Sequence, residues 1–180
     1  MKTLVFITIF LLTGCLPSSY IGNIPSGIGG SAMSQYGDTP PTSFAYPLKN
    51  GYYFISMNEY NDIIILTVRL SKNAQVKLLS NIAMIGSAET NLKQIKFPAL
   101  EYSPATNSDC GFTKYIGCNN FYTFSTSYKL EKDLDVIFPT MLGQRLIFIA
   151  PKIIIDGVTI ETNVIEFLRK EDVYLSPLNS

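Results

Sequence analysis

Beyond Phe44 no stretch of this chain repeats its apolar residues convincingly at helical spacing. A short strand-like run followed by a turn recurs instead, roughly every eight to twelve residues. Gly51–Met57 (GYYFISM) is aromatic and β-branched, and Asn58–Asp62 reads as a turn. Ile63–Leu70 (IIILTVRL) is apolar on both faces for most of its length, the pattern of a strand with neighbours on either side. Ser71–Ala74 predicts a hairpin turn into Gln75–Ser80, where Val76 and Leu78 alternate with Gln75 and Lys77. Ile82–Ile85 extends that strand or begins another. Lys93–Leu100 alternates in part, and Pro98, which has no backbone donor, confines it to an edge or a strand end.

The second half repeats the theme. Between Phe121 and Leu130, Tyr122, Phe124, Thr126, Tyr128 and Leu130 share one face, with Thr123, Ser125, Ser127 and Lys129 on the other. Val136–Phe138 reads as a strand stopped by Pro139, and Arg145–Ala150 as the next. Asp156-Gly157, between Lys152–Ile155 and Val158–Ile160, is a strong hairpin signal, because a type I′ turn needs positive φ at both central residues. At Val164–Arg169 two readings compete. Asn163 with Glu166 imitates a helix capping box, whereas the β-branched content and alternation favour a strand. These runs predict an all-β domain: an antiparallel β-sandwich of immunoglobulin-like or transthyretin-like architecture, with a closed β-barrel as the alternative.

The first fifteen residues are of another kind. Lys2 gives a short positive start, Thr3–Leu12 is an almost unbroken apolar run, and Leu12-Thr13-Gly14-Cys15 closes it. That order is the one found in secretory signals, and the apolar run is too short to cross a ~30 Å hydrocarbon core. Its last four residues resemble the lipobox of bacterial lipoproteins. The resemblance covers these fifteen residues and no more. It implies cleavage before Cys15, a diacylglyceryl group on its sulfur and acylation of its new amine. Leu16, where an Asp would signal retention, implies the periplasmic side of the outer membrane, with the inner membrane or the cell surface as alternatives. Residues 1–14 are thus expected to be a lipoprotein signal peptide. Residues 15–43 are expected to be the acylated Cys and a flexible tether, rich in Gly, Ser and Pro and without hydrophobic period. The same stretch docked as an edge strand is the other arrangement it allows. Residues 44–180 form a single β-domain.

Composition removes several kinds of function. With 14 basic and 14 acidic residues there is no cationic excess to displace counterions from nucleic acid. The chain contains no His, so Ser-His-Asp and Cys-His nucleophiles are excluded. No S-x-x-K occurs, and no cofactor or metal site is expected. Once Cys15 is acylated, Cys110 and Cys118 remain as an even pair in an oxidising compartment and are expected to form a disulfide. A metal pair is the alternative and lacks nearby ligands.

Two groups of side chains are candidate sites. Glu131, Asp133 and Asp135 alternate, so on a strand they would line one face suited to calcium or to glycan chemistry. With Lys129 and Lys132 beside them, a solvated face is the favoured reading, and no catalytic residue is assigned. The chain also carries 11 Tyr and 11 Phe. Tyr102, Phe112, Tyr115 and Phe121 gather around the Cys110–Cys118 loop, a candidate contact patch, although packing over one end of the sandwich explains them too. These features predict a membrane-anchored envelope protein that binds a protein partner as an accessory or assembly module. A glycan- or ligand-binding module, or an inhibitor of a periplasmic enzyme, is the alternative.

Overall fold

The computed structural model describes residues 15–34, 41–103, 121–131, 136 and 138–177. Among these residues fourteen strands follow one another. The first seven are β1 (Cys15–Gly27), β2 (Ser31–Met33), β3 (Ser43–Leu48), β4 (Gly51–Asn58), β5 (Ile63–Leu70), β6 (Val76–Leu78) and β7 (Ile82–Gly86). The rest are β8 (Lys93–Lys96), β9 (Glu101–Ser103), β10 (Tyr122–Lys129), β11 (Arg145–Ile149), β12 (Ile153–Ile155), β13 (Val158–Ile160) and β14 (Val164–Pro177). A single 3-10 turn, Glu89–Asn91, is the one helical element among the described residues.

The strands form an antiparallel β-sandwich. A five-stranded sheet in the order β1-β14-β11-β7-β8 faces a six-stranded sheet in the order β2-β3-β4-β5-β10-β9. A small sheet, β13-β12-β6, closes one end. Both large sheets keep free edges, so the barrel alternative falls. The core lies between them, where alternate residues point inward. Tyr53 and Ile55 of β4 and Ile64, Leu66 and Val68 of β5 meet Ile85 of β7, Leu146 and Phe148 of β11, and Ile165 and Phe167 of β14. Phe124 and Tyr128 pack against the same cluster, so the inward face read from the β10 alternation is the one used. β5 lies between β4 and β10, as its two-faced apolar pattern demands. β8 is an edge strand that ends before Pro98. Asp156 (φ 48°) and Gly157 (φ 84°) make the turn between β12 and β13.

Three expectations are corrected. Residues 15–43 are not a free tether throughout: β1 pairs with β14 across all 13 of its residues, and β2 pairs with β3. The small residues that suggest flexibility serve close approach. A Cβ on Gly30 would lie 2.4 Å from the Ala45 carbonyl and 2.6 Å from the Phe44 ring. The hairpin expected between Ile63–Leu70 and Gln75–Ser80 does not form, because β10 occupies that side of β5; β6 pairs with β12 instead. Val136 and Phe138 belong to no strand. Val164–Arg169, by contrast, is the strand its alternation favours: Ile165 and Phe167 enter the core at a spacing of two, which a helix could not deliver.

Two tyrosines tie the sheets together at their polar tips. Tyr46 donates to the Asn163 carbonyl (2.9 Å) and accepts the Asn163 N–H (3.0 Å). Tyr53, fully buried, donates to the Pro151 carbonyl at 3.2 Å. Burial pushes both phenols above their ordinary pKa, Tyr53 far more, with Tyr46 nearby opposing its ionisation as well. A raised pKa in the fold means that this stability is intact below about pH 10, the unfolded value, and is lost as pH climbs above it. Tyr53→Phe is therefore expected to flatten the alkaline fall of the melting temperature. At neutral pH it should cost about 1–3 kcal/mol, because the Pro151 carbonyl loses its donor. Parallel melting curves between pH 7 and pH 11 check this; the same alkaline slope in both proteins would count against the assignment.

Candidate functional site

The strands give the sandwich two chemically different ends. At one end the Asn58–Asp62 turn carries Glu59, whose Oε2 accepts from Asn23 Nδ2 of β1 at 3.1 Å and pairs with Arg169 Nη1 of β14. The neighbouring turn completes this end: the Gly143 N–H donates to the Arg169 carbonyl (2.9 Å) and the Arg169 N–H to the Gln144 carbonyl (2.9 Å). Past Leu168 β11, the third strand in the sheet order, stops, since it pairs only with Val164–Leu168. β1 and β14 continue as a two-stranded ribbon to the Cys15–Pro177 pair. At ~3.3 Å per residue, Lys170–Pro177 reaches roughly 25 Å beyond the sheet. Asn23 is buried and its Oδ1 has no hydrogen-bond partner among the described residues. With its carboxylate taken by Arg169, Glu59 holds the ribbon to the sandwich and is unsuited to acid–base work.

The other end holds a pocket of about 380 Å³ between three turns. Leu48, Lys49 and Asn50 come from the β3–β4 turn, Lys72, Asn73 and Ala74 from the β5–β6 link, and Asp156 and Val158 from the β12–β13 hairpin. Leu70, Ile155 and Ile160 complete an apolar wall. Hydrogen bonds join the three turns into one frame. The Ser71 N–H donates to the Asn50 carbonyl (2.8 Å) and the Asp156 N–H to the Gln75 carbonyl (3.0 Å). The Gln75 N–H returns the contact to Asp156 Oδ1 (2.9 Å), and the Leu79 N–H donates to the Lys152 carbonyl (2.8 Å). Its volume falls in the small part of the range used by small-molecule sites.

The residues singled out in the sequence are only partly brought together. Tyr102, on edge strand β9, is 53 % exposed with its ring centroid 5.3 Å from that of Phe124. Phe121 is buried at 4 % exposure and so offers no surface to a contact patch. Phe112, Tyr115 and the expected Cys110–Cys118 disulfide lie outside the described residues, as do Asp133 and Asp135. Glu131 is exposed, and among the described residues no cluster of three or more acidic or Cys side chains could hold a metal. Cys15 stands at the tip of the ribbon, opposite Pro177. The pocket residues carry no sequence signal: each lies in or beside an ordinary turn, and only the tertiary fold makes them neighbours. Among the described residues no helix is long and apolar enough to cross a membrane. Comparison with known protein families, with characterised proteins and with solved structures finds no match in any of the three.

Proposed function

We propose that this chain is a lipid-anchored protein of the bacterial envelope that binds a protein partner as an accessory or assembly module. The observation supporting this most directly is the placement of Cys15. It lies at the far tip of the β1–β14 ribbon, at the opposite end of the sandwich from the framed pocket. An acylated Cys15 would seat the ribbon on the bilayer and turn the pocket end outward. Ser103 and Tyr122, which border in sequence the segment holding Phe112 and Tyr115, lie at that same end, since Tyr122 is opposite Leu70 and Thr123 opposite Ser103. Binding rather than catalysis is proposed because the chain contains no His and the half-buried Glu59–Arg169 ion pair serves to hold the ribbon.

Cys15→Ser tests the anchor. Several acyl chains, each methylene contributing ~0.8 kcal/mol, hold a protein on a membrane almost permanently. The variant is expected to leave the membrane fraction or to accumulate unprocessed. Parent-like membrane fractionation with unchanged mass would refute the lipoprotein reading, and co-migration of the parent with inner membrane on a sucrose gradient would remove the outer-membrane placement. A second reading, a ligand-binding module, is favoured by the pocket itself.

A further inference from the structure

We infer that the pocket between the three turns binds a single-chain amphiphilic anion, an unbranched alkyl chain ending in a carboxylate or a phosphate. This rests on the ligand-binding reading of the same site. Leu48, Leu70, Ile155 and Ile160 offer aliphatic surface, which a flexible alkyl chain matches through burial alone. None of the described lining residues is aromatic, although the chain has 11 Tyr and 11 Phe. A sugar, which needs a flat ring to stack on and many hydrogen-bonding partners, finds little there. A volume of about 380 Å³ admits one chain of medium length and not the pair of a diacyl lipid.

The polar groups at the mouth fix the sign of the head group. Lys49 and Lys72 are both exposed and neither takes part in an ion pair among the described residues. The single carboxylate at the mouth, Asp156, accepts the Gln75 N–H through Oδ1 and is committed to holding the hairpin. The mouth therefore carries one more positive charge than negative, on mobile donors suited to a carboxylate or phosphate oxygen. The hydrogen-bonded frame forms these walls before any ligand arrives, so little ordering entropy opposes binding.

The test uses the full chain in phosphatidylcholine nanodiscs, photolabelled with a decanoate that carries a diazirine, the labelled peptides being mapped by mass spectrometry. Label is expected on peptides spanning 48–50, 70–74 or 155–160. Octanoate and octyl phosphate should displace it, and whichever competes at the lower concentration identifies the head group. Octyl glucoside and octylammonium should not. Lys49→Ala with Lys72→Ala should weaken labelling about tenfold. Val158→Trp, at a lining position that is 63 % exposed, should block the mouth and abolish labelling while leaving the melting temperature near that of the parent. Label confined to other peptides, or displaced as well by octyl glucoside as by octanoate, overturns the proposal. So does label indifferent to both variants. Cys15→Ser leaves these residues untouched, so failure of the anchor and failure of the pocket are separately visible.

Discussion

Gly51→Ala is expected to lower the unfolding free energy by about 3–5 kcal/mol, more than a turn position ordinarily would. Two effects add. Gly51 has φ 156°, at the border of a region that residues with a Cβ rarely enter. The added Cβ would also lie 1.8 Å from the Arg69 carbonyl oxygen and 3.0 Å from the Leu70 Cα. Both obstacles are backbone atoms of β5, paired with β4 on one side and β10 on the other, so neither can swing away as a side chain would. Relief requires β4 to shift at its first residue, where Gly51 faces Leu70. Urea unfolding followed by far-UV circular dichroism measures the loss. A change below about 1 kcal/mol would show that the start of β4 yields freely.

Phe148→Ala is expected to cost about 3–5 kcal/mol, the usual range for deleting a buried phenyl ring. Phe148 is fully buried in β11, paired with Ile165 on one side and Ile85 on the other, both also at zero exposure. Its ring meets Phe97 edge-on at 6.3 Å, and Phe97 in turn meets Tyr128 of the facing sheet at 5.7 Å. The three rings thus cross the core from one sheet to the other. Truncating the first leaves a void bounded by strands held on both sides, which can collapse only partly. Phe148→Leu, which keeps most of the volume, should cost clearly less. Calorimetry on the two variants compares them, and equal losses would mean that the ring's shape, not its volume, carries the contact.

How much of this was legible beforehand depends on whether the signal is local. Ile63–Leu70 announced a central strand because both its faces are apolar, and Asp156-Gly157 announced a hairpin because few other pairs accept two positive φ values. The β10 alternation and the limit imposed by Pro98 are likewise properties of a few adjacent residues. β1 was hidden. Its Pro, Gly and Ser content is that of a spacer, and only the presence of β14 alongside turns it into a strand. The partner of β6 was hidden for a related reason: short connections favour hairpins, but β10, from far along the chain, had taken the place. The pocket was the least legible feature, since Lys49, Lys72 and Val158 sit in three turns with nothing in common until the sheets assemble.

The pairing of Cys15–Gly27 with Gly27's partner Ile165 and the residues that follow it, through Pro177, sets the order in which this protein can acquire its structure. A strand from one extreme of the described chain must wait for a strand from the other. The longest ladder of the five-stranded sheet is thus also the one of greatest sequence separation, and closing it requires the loop entropy of nearly the whole domain to be overcome first. β3, β4 and β5, joined by short turns, can assemble early, while β1 stays an unpaired edge open to wrong partners. Completion comes only when β14 arrives, so slow, late-closing refolding is built into the topology.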